Sequence, residues 1–479
     1  MAGLTRLPVF ADEAIYIRWA QLIIDDSNQY FFFPLNDGKT PLFIWQLIPA
    51  LATFDDPLFA ARVVSVIGGL VQIFAIIWLV RELKGGSIAQ IFSAVFVTVL
   101  PFWFLHHRMA LMDGWLTVWI TLALVFLLRS IRLKSVPLAV VSGICVGASL
   151  LTKVPAVLAL PTLVFFGWAS VDTKKAGWSF LKFIVVSGAA GLILFASLIL
   201  APSFSQLFSR GGDFLFSLSD VMQGIWFTTI KNTPSYFNYF WTYATPPVFL
   251  LFIAGLFTKQ NRKRTVAIWL SFLVFYLPIA LMGISVFPRY LFPGMLFVTL
   301  GAAFFLEYLV ETQKSLGKWL AIAAMIITIL FSLPFMYYLS ANPNKTPFVS
   351  ADTMQYLTEW SAGHGNWEVF QKLQADSKTQ RIAVATEGYF GTLPDGLVMY
   401  VHNKNLENIA IDGVGQPIFG IPDELIKKRD EYDRFWLVVN SHRLEFELPT
   451  HMLLASYCRP YDAPCLQVWD VTELVRASE

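Results

Sequence analysis

The sequence predicts a polytopic α-helical membrane protein that ends in a small α/β domain on the outer side of the membrane. Three observations lead there. The chain of 479 residues is 56% hydrophobic and only 14% charged, with 43 Phe and a mean hydropathy of +0.58, whereas soluble domains carry about 25% charged residues. Ten stretches are long and apolar enough to span a bilayer, or nearly so. From Asn342 onward the composition turns into that of a soluble domain. The net charge of +2 and the lack of a basic run give no footprint for nucleic acid. Three cysteines exclude a disulfide-dense scaffold and a Cys-rich metal cluster. Met1–Val9 has no apolar core of signal-peptide length.

The first outer segment, 1–58, opens on Phe10-Ala-Asp-Glu-Ala-Ile-Tyr-Ile-Arg-Trp-Ala-Gln-Leu-Ile-Ile24, which reads as an amphipathic helix. Arg18, Gln21 and Asp25 form its polar stripe, and Asp12 stacks with Tyr16 one turn on. The adjacent carboxylates Asp12 and Glu13 also suit a helix start, as cap and first turn. Pro41–Phe54 is apolar but too short to span, so it reads as interfacial or re-entrant. Spans need roughly 17–25 residues. The candidates are 59–80, 87–105, 113–129, 135–152, 154–171, 183–201, 244–258, 265–286, 290–310 and 319–340. The expected organisation is thus a transmembrane domain over 1–341 and a soluble domain over 342–479.

Basic residues set the orientation. Arg81 and Lys84, then Arg129, Arg132 and Lys134, then Lys174, Lys175 and Lys182 fall on one side if the spans alternate. So do Lys259, Arg262, Lys263 and Arg264, and Lys314 with Lys318. The positive-inside rule makes that side cytoplasmic. The segment 1–58, the turn 106–112, the loop 202–243, the turn at Arg289 and the C-terminal domain are then expected outside.

In the C-terminal domain Arg381–Thr386, Phe435–Asn440, Met452–Tyr457 and Leu466–Val471 read as strands and Pro422–Tyr432 as a helix. Cys458 and Cys465 flank a Pro-containing turn. In an oxidising compartment they can bridge; two free thiols are the alternative. Cys145 lies within a span and reads as packing. No internal repeat supports a repeat-built transporter.

Ionisable groups in or beside spans are functional candidates. On the expected outer face they are Asp12 and Glu13, Lys39 before the interfacial helix, Arg108 and Asp113 in His106-His-Arg-Met-Ala-Leu-Met-Asp113, Lys153, and Arg289 beside Tyr290. Each has an ordinary reading. Lys39 can snorkel to headgroups. Arg108 and Asp113 can pair structurally, and Arg289 with Tyr290 can anchor at the interface. Adjacent histidines on a helix diverge by about 100°, so His106 and His107 do not share a metal ion readily, and no third ligand has suitable spacing. No metal or cofactor is expected from the pattern, and dependence on a divalent ion stays open. Together, carboxylates and cations on one face suit an anionic lipid headgroup with an acid/base group beside it.

The ordered set Asp-Glu-x-x-Tyr, Lys-Thr-Pro-Leu, Arg-x4-Asp, Leu-Thr-Lys-x-Pro and Pro-Arg-Tyr, spread over about residues 5–310, resembles the GT-C glycosyltransferases. It is most similar to family 39, with its protein O-mannosyltransferases and lipid A aminoarabinose transferases. The resemblance implies a GT-C bundle, a donor sugar on a polyprenyl phosphate, an acceptor that is a protein, lipid or glycan, and a reaction outside the cytoplasm at the cell membrane. It implies that Asp12 takes the acceptor proton, that Glu13 supports it or orients the first loop, and that Lys39 and Arg289 bind the lipid phosphate. Arg108 and Asp113 would shape the cavity, with Tyr16, Lys153 and Tyr290 also facing substrate. A single base and direct attack give inversion, though the carboxylate pair alone leaves a retaining route open. The alternatives are a GT-C glycan polymerase or ligase using a lipid-linked oligosaccharide, and a lipid or sugar transporter, which would need charges deeper in the spans. Members of that family usually carry a span before the Asp-Glu motif. Nine residues precede Phe10 here, so either the sequence starts late or the N-terminus faces outward.

Overall fold

The computed structural model describes residues 3–171, 178–258 and 260–478; Lys174, Lys175 and Lys259, used above for orientation, lie outside the described residues. The protein is mostly helical, with a small five-stranded sheet near its C-terminus. The chain divides into two compact units: one gathers 1–30, 46–62 and 338–479, the other 31–45 and 63–337.

The apolar stretches are helical and lie mostly in the second unit. Pro57–Glu82, Met112–Leu133, Leu181–Leu200, Arg262–Met282 and Pro288–Ala341 are long and apolar enough to cross a membrane. Ser87–Val99, Val136–Thr152, Val154–Ser170 and Pro246–Gly255 are shorter apolar helices, and Leu42–Leu51 lies where the interfacial helix is expected. Pro288–Ala341 is two helices in one: the backbone leaves helical geometry at Lys314 (φ 47°, ψ −114°). A Cβ on Gly317 would fall 1.9 Å from the Leu309 carbonyl oxygen, so the chain doubles back where only glycine fits.

Small residues let neighbouring helices close on one another. Met112–Leu133 packs on Val136–Thr152, which packs on Leu181–Ala196. A Cβ at Gly143 would lie 2.5 Å from the Ala190 Cβ, and one at Gly191 2.6 Å from Val146 Cγ1. Ser142 Oγ donates to the Ala123 carbonyl at 2.8 Å and Ser187 Oγ to Ala139 at 2.9 Å, which ties the three helices where lipid supplies no hydrophobic drive.

In the first unit β1 (Val9–Phe10) pairs antiparallel with β2 (Ala362–Gly363), immediately before α1 (Ala11–Asp25). The main sheet contains β3 (Ile382–Thr386), β4 (Ile409–Gly413), β5 (Arg434–Asn440), β6 (Leu453–Cys458) and β7 (Cys465–Asp470), in the order β4-β3-β5-β7-β6. β4, β3 and β5 are parallel; β7 and β6 add antiparallel. Four of these strands lie where alternation places them. β4 and the helices Asn366–Asp376 and Asp395–Asn403 add to that reading. The expected helix over 422–432 is confined to Asp423–Lys427, after which the chain turns through Lys428–Tyr432. Ala383, Ala385, Phe435, Leu437 and Val439 point into one apolar core with Leu425 and Trp469. Cys458 and Cys465 face each other across β6 and β7 and are disulfide-bonded; Cys145 is a buried free thiol.

Candidate functional site

In the first unit the start of α1 is built on a buried charge pair. Phe10, extended at φ −89° and ψ 150°, is the N-cap, so Asp12 sits inside the first turn and is not the cap. The Phe10 N–H donates to Glu13 Oε2 at 3.0 Å, which satisfies one of the helix's open donors. Arg62, from the helix Pro57–Glu82, meets Glu13 through Nε at 2.8 Å and Nη2 at 2.6 Å. The rest of the guanidinium donates to the carbonyls of Leu4 and Leu7, both at 2.8 Å, and Pro8 at 3.1 Å. Both side chains are fully buried. A carboxylate held by three charge-assisted hydrogen bonds is a structural anchor. It fixes the corner from which Asp12, half-buried, projects. Tyr16 is buried one turn on, its ring 6.1 Å from Trp19.

Farther along α1, Gln21 Nε2 donates to the Met399 carbonyl at 2.8 Å. The Gly391 N–H donates to Asp395 Oδ2 at 2.7 Å. Burial pushes the Asp395 carboxyl up to about 6, against the pull of that N–H and of Arg18.

The second unit holds the cations. Lys153 follows the helix Val136–Thr152 and its Nζ lies 2.7 Å from Asp113 Oδ1 and 5.1 Å above the Tyr290 ring. Asp113 is buried in the first turn of Met112–Leu133, where the helix dipole favours an anion. The guanidinium of Arg289 lies 5.5 Å from the Tyr290 ring. Asp113, Lys153, Tyr290 and Arg289 are therefore one cluster. His106, buried beside it, stacks on Phe292 with centroids 4.6 Å apart and donates from Nδ1 to the Phe102 carbonyl at 2.8 Å. Lys39 belongs to an adjoining group: its Nζ is 3.0 Å from Asp37, which also pairs with Arg210, and Arg210 binds Asp213 at 3.0 Å and lies 5.9 Å over Phe214, whose ring is 6.4 Å from that of Tyr290. The Arg108 guanidinium lies 4.9 Å over the Phe104 ring. Among the described residues no three His, Cys, Asp or Glu side chains gather as metal ligands.

Sequence reasoning did not single out Arg62 or Arg210. Arg62 had a signal, an arginine inside the first span, where an unpaired charge is expensive. Arg210 sits in a long loop of mixed composition and had none.

The comparisons with known proteins agree with this architecture. Residues 38–200 match the family described as dolichyl-phosphate-mannose-protein mannosyltransferase. That stretch contains Lys39, Arg108, Asp113 and Lys153. No curated protein sequence matches the chain. Among solved structures, apo ArnT from Cupriavidus metallidurans superposes with a TM-score of 0.58 at 14% identity, covering 98% of this chain and 95% of ArnT. ArnT bound to undecaprenyl phosphate gives 0.57 at 14% identity over 96% and 94%. The Archaeoglobus fulgidus oligosaccharyltransferase tethered to an acceptor peptide gives 0.55 at 11% identity, over 91% of this chain and 65% of that one. In fold, and in sequence over 38–200, the chain resembles the GT-C membrane glycosyltransferases, as its ordered motifs indicate. It is a multi-pass membrane protein with a C-terminal α/β domain.

Proposed function

We propose that the protein transfers a sugar from a polyprenyl-phosphate donor to an acceptor hydroxyl, outside the cytoplasm and with inversion at the anomeric carbon. The observation that carries this reading is the Glu13–Arg62 anchor, which locks a second carboxylate, Asp12, at the first turn of α1. A match to a family of dolichyl-phosphate-mannose transferases and a fold shared with a protein crystallised with undecaprenyl phosphate support the donor class.

The acceptor oxygen bonds to the anomeric carbon as the bond from that carbon to the phosphate oxygen breaks. The electron pair leaves with polyprenyl phosphate and the proton passes to Asp12. Lys39 and Arg289 lower the barrier by holding negative charge as it grows on the departing phosphate. Lys153 bonds Asp113 and holds its ammonium over Tyr290, in the same cluster as Arg289. Glu13 is a positioning residue.

Purified protein in nanodiscs, given a polyprenyl-phosphate sugar and envelope-derived acceptors, tests the reading through its lipid product. The expected product is polyprenyl monophosphate, with an inverted linkage on the acceptor. Release of a diphosphate from a lipid-linked oligosaccharide would instead make it a glycan polymerase or ligase. Transport of the donor without transfer would discard the enzyme reading.

A further inference from the structure

The C-terminal domain carries a second feature that the transfer chemistry does not use. β3 and β5 are parallel neighbours whose chains leave in opposite directions: β3 runs on to β4 on one side, β5 to β6 and β7 on the other. Open α/β sheets bind ligands in the crevice at the carboxyl ends of strands at such a switch point. Glu387, directly after β3, is buried in that crevice. It accepts from the Asn440 N–H at 2.8 Å, from Asn440 Nδ2 at 2.5 Å and from Arg443 Nη1 at 2.9 Å. The Arg443 guanidinium lies 5.3 Å over the ring of Trp360.

Around this network stand aromatic side chains facing solvent. Tyr389 is 73% exposed, Phe390 59% and Phe419 73%. Their loops are fastened. The Gly388 N–H donates to Gly415 O at 2.8 Å, and Thr392 Oγ1 to the Trp360 carbonyl at 2.6 Å. Ile418 N–H donates to Arg443 O at 2.9 Å and Glu445 N–H to Ile418 O at 2.8 Å. Large apolar rings held out from rigid loops mark an interaction surface.

The same edge adjoins the start of α1. The Ala11 N–H donates to Ser361 O at 3.0 Å. Gly391, at φ +107°, brings its backbone so close that a Cβ there would lie 3.2 Å from the Trp360 ring and 3.8 Å from the Ala11 Cβ. The next residue is Asp12.

We propose that the loops 387–391 and 415–419 are the acceptor-binding subsite, and that the acceptor is a saccharide whose reacting hydroxyl enters beside Asp12. This rests on the transferase reading above. Sugar rings present C–H faces that pack on Tyr389, Phe390 and Phe419, and a rim of hydroxyls that the Tyr389 hydroxyl and the partly exposed Arg443 guanidinium can bond, while buried Glu387 and Asn440 hold Arg443 in place. A peptide acceptor would favour an open strand edge, where its backbone adds to the sheet; these rings stand beyond the strand ends, on loops.

The test is saturation-transfer NMR on the full-length protein in nanodiscs, without donor. The probes are gluco-, manno- and galacto-oligosaccharides of two to six units, with a Ser/Thr-rich peptide alongside. Wild type should bind at least one saccharide series. The double variant Tyr389→Ala/Phe419→Ala and the single variant Phe390→Ala should weaken that binding at least about tenfold, with affinity for polyprenyl phosphate unchanged as proof of folding. Saccharide affinity unmoved by the loop variants, no saccharide bound by wild type, or peptide bound in its place would each overturn the proposal. Saccharide binding without any sugar transfer would sink the transferase reading and leave the saccharide site standing.

Discussion

Arg62 directs all five of its N–H groups at the first thirteen residues of the chain: two to the Glu13 carboxylate and three to the carbonyls of Leu4, Leu7 and Pro8. Nothing of the guanidinium is left unsatisfied, so the desolvation of a fully buried charge is offset in one place. The pair thereby staples the entry strand and the start of α1 to the turn that carries Arg62.

Breaking one side of such a pair leaves the other charge buried and alone. Arg62→Met and Glu13→Gln should each destabilise the protein by about 3–5 kcal/mol, read as a lower unfolding midpoint in detergent. The double replacement should recover part of the loss, since neither charge then remains. Single variants as stable as wild type would show that the anchor is not needed.

The orientation is open to a direct check. Ser87, Ser315 and Ser350 are exposed, and the native cysteines give little background, because Cys145 is buried and the other two are bridged. Cysteines placed at 87 and 315 should resist an impermeant thiol reagent in intact cells, and one at 350 should label. Labelling at 87 without lysis reverses the topology.

Hydropathy was enough to read the helical stretches, because a bilayer demands apolar length and little else. The turn at Lys314, too, lies where the sequence leaves two spans apart. Less of the C-terminal domain was legible. β4 is short, Ile409-Ala-Ile-Asp-Gly413, with only two large apolar residues, and its identity comes from pairing with β3. The two-residue β1 has no local signal at all; it exists because Ala362–Gly363, over 350 residues away, offers it hydrogen bonds. Of the site residues, those beside sequence motifs were named by the motif. Their partners, Arg62 for Glu13 and Arg210 for Asp37, are set by tertiary packing, which a one-dimensional pattern does not encode.

Asp395 gives the C-terminal domain a pH dependence of calculable sign. Its carboxyl titrates near 6 when folded and near 4 when unfolded. Between those values the folded state holds a proton that the unfolded state has lost, so stability falls as pH rises through the window. The penalty at neutral pH is on the order of 2–3 kcal/mol. Asp395→Asn keeps an oxygen for the Gly391 N–H and removes the titration. It should raise stability at pH 7 and flatten the unfolding midpoint between about pH 4 and 6. A variant whose midpoint still falls over that range would place the titration elsewhere.

The reaction itself turns on Asp12. An acceptor hydroxyl is a weak nucleophile unless its proton is removed as the new bond forms, and a placed carboxylate contributes about 100- to 10,000-fold. Asp12→Asn is a narrow change. Phe10 is the N-cap and Glu13 holds its N–H, so the helix start survives. Only a first-turn charge is removed, worth about 0.3–1 kcal/mol to the helix. The variant should fold, bind polyprenyl-phosphate sugar normally and turn over at least about 100-fold more slowly. Lys39→Met and Arg289→Met should differ in kind: donor affinity should weaken along with rate, because each removes a charge-assisted contact worth about 1.5–3 kcal/mol. That split, rate alone against rate with affinity, separates a base from a phosphate ligand. Near-normal turnover in Asp12→Asn would remove Asp12 from the chemistry and leave Asp113, already paired with Lys153, as the next carboxylate to test.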